Sequence, residues 1–139
     1  MSHQQIIDIA YGCIALWNQE KFREAYEAYY AEDAVKCEPT VIGDYPNEIQ
    51  GRDTLADQEE FIQSGIATPH SIHVAEGPFI GANGFSVIIK SDFTINATGE
   101  RHIFREVGVY TVEDGKIVRE EFLYDEAELA MASKLAAES

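Results

Sequence analysis

Basic residues are scarce: 10 Lys and Arg stand against 25 Asp and Glu in 139 residues, a formal net charge of −15. So strong an anion is repelled by phosphate backbones and anionic bilayers, which argues against nucleic acid or a membrane surface as partner. Cysteine is scarcer still. Cys13 and Cys37 are too few for a disulfide framework and lack the spacing of metal ligands. No stretch approaches the roughly 18 uninterrupted apolar residues of a membrane-spanning helix. Met1 to Trp17 has no basic leading region, carries Asp8 and shows no small-residue cleavage site, so a secretion signal is not expected. Internal repeats, low-complexity tracts and linkers are also missing. There is no His-x-His pair and no HExxH motif, so neither a metal ion nor another cofactor is expected. What is present, 45% hydrophobic and 25% charged residues, belongs to a globular chain. The length suits one domain over 1–139, and the expected setting is the cytoplasm.

The apolar period changes once along the chain. From Ile6, the residues Ile7, Ile9, Ala10, Cys13, Ile14, Leu16 and Trp17 recur at helical spacing. After a polar break at Asn18 to Lys21, a second amphipathic run carries Phe22, Ala25, Tyr26, Tyr29 and Tyr30 on one face. A short strand is predicted from Ala34 to Glu38, then a loop from Val41 to Gln50. A third helix is predicted from Thr54 to Ser64, capped by Asp53 and ended by Gly65. Beyond Thr68 the period falls from 3.6 to 2: Phe85, Val87, Ile89, Ser91, Phe93 and Ile95 alternate with the residues between them. Arg101 to Val112 and Lys116 to Tyr124 read as two further strands, joined at Glu113-Asp114-Gly115, where glycine supplies a positive φ at little cost. An Ala-rich helix is predicted from Asp125. Helices first and antiparallel strands last make the fold class α+β.

Two strings, "LWNQEKFREAYEAYYAEDAVKCEP" and "GVYTVEDGKIVREEFLYD", give this order a resemblance to the nuclear transport factor 2-like superfamily. More narrowly, the chain resembles its SnoaL-like and ketosteroid-isomerase-like members over nearly its whole length. The resemblance implies a cone-shaped barrel in which a strongly curved antiparallel sheet wraps around the N-terminal helices and encloses a pocket. It also points one face of each strand inward. That places His102, Phe104, Glu106, Gly108, Tyr110 and Val112 inside, with Glu120, Phe122 and Tyr124 on the last strand. Ile88, Val107, Val109 and Ile117 fall on the convex side, through which a homodimer is expected.

In "AEDAVKCEP" the resemblance puts the isomerase's catalytic carboxylate at Glu38. A carboxylate in an apolar pocket has its pKa raised by desolvation and so abstracts protons more effectively near neutral pH. Equally, Glu38 could pair with Lys36, two residues back on the same face. The isomerase's two oxyanion donors have no counterpart: their positions fall at Cys13 and Gly108, with Tyr11 on another side of its helix. Steroid isomerisation is therefore not expected. A different acid–base set remains, in which Glu106 and one histidine, His73 or His70, act together. Three residues apart on one strand, at most one of these histidines lines the pocket. Glu106 and Tyr110 lie about 13–14 Å apart along one strand, with Gly108 leaving room between them.

Glu38, His73 and Glu106 are thus the catalytic candidates. Trp17, Tyr26, Tyr30, His70, Ser91, Phe93, Tyr110, Glu120, Phe122 and Tyr124 are the ligand-binding candidates. The acidic run Asp57, Glu59 and Glu60 reads as a solvated helix face. The expected partner is a small, mostly apolar organic molecule, with proton-transfer chemistry of the isomerase, cyclase or hydratase kind. The alternative is a non-catalytic ligand-binding or protein-interaction module whose inward glutamates are structural. The discriminating feature is pairing: a catalytic base stands in the pocket without a cationic partner, whereas a structural glutamate is satisfied by lysine, arginine or tyrosine.

Overall fold

Ser2 and Gln5 set the start of the first helix. The Gln5 amide donates to Ser2 Oγ at 3.2 Å and the Ser2 amide to Gln5 Oε1 at 2.9 Å, a reciprocal cap that begins α1 (His3–Trp17) three residues ahead of the apolar pattern. The computed structural model describes residues 2–124; the terminal helix expected from Asp125 lies outside the described residues. α1 buries Ile6, Ile9, Ala10, Cys13 and Trp17 on one stripe, and Tyr11 is exposed on another side. α2 (Phe22–Tyr29) follows, and Tyr30 opens β1 (Tyr30–Cys37) rather than ending the helix. The expected loop contains β2 (Glu48–Gln50), paired antiparallel with β1. α3 (Arg52–Phe61) is preceded by Gly51 at φ 105°, a backbone conformation open to glycine, so the cap is not Asp53. Nor does the helix stop at Gly65: it continues as a π-helical turn over Ile62–Ile66.

Four long strands complete the described residues: β3 (Ala67–Ile80), β4 (Gly84–Ile95), β5 (Arg101–Glu113) and β6 (Lys116–Leu123). They form one six-stranded sheet in the order β2-β1-β6-β5-β4-β3. The α+β class and the curved sheet against the N-terminal helices are as expected, and the sheet stays open, with β2 and β3 as its edges. Only one pairing departs from an antiparallel sheet: β1 runs parallel to β6. Irregularities in β1, β3 and at the β5–β6 pairing bend the sheet toward the helices, since an extra residue in one strand kinks that strand and raises its local twist. Trp17 joins the two layers, its ring centroid 5.0 Å from that of Tyr110 and 6.4 Å from that of Phe85.

One bulge also decides which residues face the core. Val112 pairs with Ile117, but the next β5 residue, Thr111, pairs with Arg119, so Val118 is the extra residue. Ile117 and Glu120 consequently share the concave face. Ile117, expected on the convex side, is fully buried in the core. Strict alternation assigned it wrongly because alternation holds only where the ladder is unbroken.

Candidate functional site

The concave face of the sheet, α1, α2, α3 and the π-helical turn enclose a cavity of about 120 Å³. Its walls are apolar, from Trp17, Ile66, Phe93, Phe104, Tyr110 and Phe122. Its floor is ionic. Lys36 reaches it from β1, Glu38 from just beyond that strand, Glu59 from α3, Glu106 from β5 and Glu120 from β6. Lys36 is 1% exposed, with its Nζ 3.3 Å from Glu38 Oε1, 3.6 Å from Glu59 Oε2 and 5.2 Å from the centre of the Phe122 ring. Burial pulls the Lys36 ammonium down, but Glu59, Glu38, Glu120 and Glu106 outweigh it and hold the pKa above its ordinary value.

The four carboxylates are not equivalent. Glu38, 6% exposed, has Lys36 as its cation and accepts from the Tyr124 hydroxyl at 2.5 Å. Glu59 has Lys36 on one side and accepts from Gln63 Nε2 at 2.8 Å. Glu120, 1% exposed, accepts from the Tyr26 hydroxyl at 2.7 Å and also from that of Tyr30. Burial lifts the Glu120 carboxyl, while Lys36 and the two tyrosine hydrogen bonds oppose the lift, and the result is about 7. Glu106 alone among them has neither a hydrogen bond nor an ion pair within the described residues. Burial, then the like charges of Glu38 and Glu59, push its carboxyl well above the ordinary carboxylate range.

The expected site residues divide accordingly. Trp17, Tyr26, Glu38, His73, Ser91, Phe93, Glu106, Tyr110, Glu120 and Phe122 line the cavity; Tyr30, His70 and Tyr124 do not. Tyr30 stands behind Glu120, and Tyr124 engages Glu38 and packs edge-on against Phe104. His70 is the extra residue where β3 slips, between Pro69 opposite Phe93 and Ser71 opposite Asp92, and its ring nitrogen lies 2.7 Å from Thr94 Oγ1. His73 is exposed at the rim, on the opposite strand face from Ile72 and Val74. Neither histidine is brought against Glu106 by a hydrogen bond.

Lys36, expected as an inward cation and a partner for Glu38, pairs with Glu59 as well. One contributor escaped the sequence reading. Glu59 was assigned to a solvated face, and that assignment fails: Asp57 and Glu60 pair with Arg23 at the surface at 2.7 and 2.6 Å, but Glu59 turns inward. The signal was available. Glu59 lies four and three residues after Leu55 and Ala56 and three before Ile62, which puts it on the buried stripe of α3.

Residues 1–124 match the model of the SnoaL-like domain family. A Mesorhizobium loti protein described as a SnoaL-like polyketide cyclase superposes with a TM-score of 0.78 at 33% identity, over 89% of this chain and all of that one. A Bacillus subtilis protein described as an isomerase gives 0.70 at 19% identity over 95% of each chain. A Burkholderia pseudomallei protein described as nuclear transport factor 2-like and of unknown function gives 0.72 at 17%, over 96% and 98%. No curated protein matches the chain. With a family model that spans all the described residues and a relative one-third identical along its entire length, the chain belongs to the SnoaL-like domain family.

Proposed function

We propose that the cavity binds a small, mostly apolar organic molecule and that Glu106 exchanges a proton with it. The observation that carries this reading is the pairing difference on the floor: Glu38, Glu59 and Glu120 are each satisfied, and Glu106 faces the cavity with no partner among the described residues. A carboxyl held above its usual range is the stronger base once ionised and a usable acid while protonated. On a ketone-like ligand, Glu106 would take a proton from the carbon beside the carbonyl and return it at another position, or leave a carbanion free to attack a second carbonyl. These are isomerisation and aldol-type cyclisation, and the Mesorhizobium loti relative's description as a polyketide cyclase is of the same kind.

The test is exchange of solvent deuterium into the α-carbon of small cyclic ketones, followed by proton NMR. Wild type should accelerate it, and Glu106→Gln should be slower by on the order of 10²–10⁴ with its melting temperature preserved. Equal exchange by the two proteins refutes the assignment. The non-catalytic reading draws its support from the same floor, because three satisfied glutamates around one lysine are also what a purely structural acidic cluster would contain. In that case neither protein accelerates exchange, although both bind the ketone.

The convex face supports a homodimer: Ile103, Val109 and Leu123 are exposed there, beside Val107 and Ile88. A cytoplasmic setting is in keeping with both cysteines being unpaired, Cys13 buried in the core and Cys37 hydrogen-bonded to Glu48.

A further inference from the structure

Tyr110 is held in a position that serves no structural hydrogen bond among the described residues. Its ring is 2% exposed and packs against Trp17 at 5.0 Å and Phe85 at 4.8 Å, which touch each other at 6.4 Å, with Phe122 edge-on at 6.3 Å. Those contacts fix the ring and point it along its own strand rather than straight into the cavity. At Gly108, two residues back on the same face, a Cβ atom would lie 2.5 Å from the Tyr110 hydroxyl oxygen and 2.8 Å from its Cε2. The ring therefore lies back over Gly108, toward Glu106 on the far side, and it can do so only because position 108 has no side chain. The 13–14 Å that the strand period sets between the two α-carbons does not separate the two functional groups.

The hydroxyl that this arrangement delivers is free. Among the described residues Tyr110 has no hydrogen-bond partner, although Tyr26 and Tyr30, on the same floor, both donate to Glu120. Tyr110 lines the cavity. A buried phenol without a partner forfeits a hydrogen bond, and such a group is uncommon unless something outside the chain supplies the acceptor. Glu106 lines the same cavity and likewise has no hydrogen bond or ion pair among the described residues. One free donor and one free carboxyl thus stand on the same strand face with only a glycine between them, in a cavity whose walls are mostly hydrocarbon and aromatic rings above an ionic floor.

We infer that Tyr110 is the anchor for an oxygen acceptor on the ligand, with Gly108 as the residue that sets its position. The ligand is then a neutral, apolar molecule bearing a carbonyl oxygen, bound with that oxygen on the Tyr110 hydroxyl and the adjoining carbon toward Glu106. An anionic ligand does not suit the site, because Lys36, the cation of its floor, is already taken by Glu38 and Glu59. This inference rests on the pocket reading above and adds the group that recognises the substrate. In the proton transfer, the same hydroxyl would donate to the oxygen as negative charge develops on it. No proton leaves Tyr110, whose phenol is held above its usual range first by burial and then by Glu120 and Glu106.

The experiment compares 1-tetralone with tetralin, which has the same ring skeleton without the carbonyl oxygen. Binding to the full chain is followed by calorimetry, and the C=O stretch of bound tetralone by infrared difference spectroscopy. Wild type should bind the ketone more tightly than the hydrocarbon by roughly 2–12-fold, the span of one neutral hydrogen bond, with the stretch moved to lower frequency. Tyr110→Phe should retain tetralin affinity, lose the preference and return the stretch to its unbonded position. Gly108→Ala, which drives the hydroxyl off its place, should do the same. The refolded ellipticity of each variant is recorded alongside, and if one variant fails to fold the other decides. A wild type that binds both compounds equally, or a Tyr110→Phe that keeps both the preference and the shifted stretch, overturns the anchor while leaving the pocket reading standing. If neither compound binds wild type, the pocket reading falls and takes the anchor with it.

Discussion

Replacing Glu120 by glutamine removes one titration from the floor of the cavity, and the consequence can be worked out with its sign. The carboxyl is raised from 4.5 to about 7, mainly because it is buried. The folded protein therefore holds a proton there that the unfolded chain releases. A raised folded pKa contributes stability that is fully present below the unfolded value and lost as pH rises through the folded one. The window is pH 4.5 to about 7. Its width of about 2.5 pH units, at about 1.36 kcal/mol for each, makes the loss about 3 kcal/mol. Glutamine keeps the shape of the neutral acid and does not titrate. Its altered hydrogen bonding with Tyr26 and Tyr30 adds a constant that does not change with pH. Urea unfolding, followed by the fluorescence of Trp17, the one tryptophan of the chain, gives the stability of each protein from pH 4 to pH 8. The stability of Glu120→Gln minus that of wild type should rise by about 3 kcal/mol across this range. A difference that stays flat, or falls, would show that Lys36 and the two tyrosines keep Glu120 ionised throughout and that the desolvation argument is wrong.

Glu106→Gln should also stabilise the fold near pH 8 relative to wild type, and less near pH 5, because burial and like charges raise the Glu106 carboxyl as well; the reverse trend in urea midpoints would mean that Glu106 is ionised against a cation. Lys36→Met removes the cation beneath four carboxylates and should cost about 3–5 kcal/mol near pH 8, the range for breaking a buried pair, but less near pH 5, where protons replace it. A loss independent of pH would assign the effect to packing alone. The convex face should bury about 800 Å² per subunit in a dimer. Sedimentation at micromolar concentration should then give a dimer for wild type and a monomer for Ile103→Lys combined with Leu123→Lys, and a monomeric wild type would defeat the idea.

Periodicity alone determined the succession of helices and then strands, apart from β2 and the turn that divides β3 from β4, and most of the inward faces. Phe85, Val87 and Phe93 on β4 and Phe104, Tyr110 and Val112 on β5 are buried as strict alternation requires, because those two strands pair without a slip. The resemblance to a known fold family supplied what alternation cannot, the side on which the cavity lies. Three decisions belonged to the tertiary structure. A bulge at Val118 put Ile117 and Glu120 on one face, and another at His70 took that histidine out of step, since an extra residue is visible only in the pairing with the next strand. β1 joined β6 in parallel, a contact between residues 84 to 87 positions apart that no local pattern encodes. The charge state of the floor was the third. Glu38, Glu106 and Glu120 were all legible as inward carboxylates, but Lys36 and Glu59 come from other elements and decide which of them are neutralised. Sequence period sets the direction in which a side chain points. Its pairing and its pKa depend on what distant elements bring within a few ångströms of it, and here, among the described residues, that left Glu106 and Tyr110 unpaired where they face the cavity.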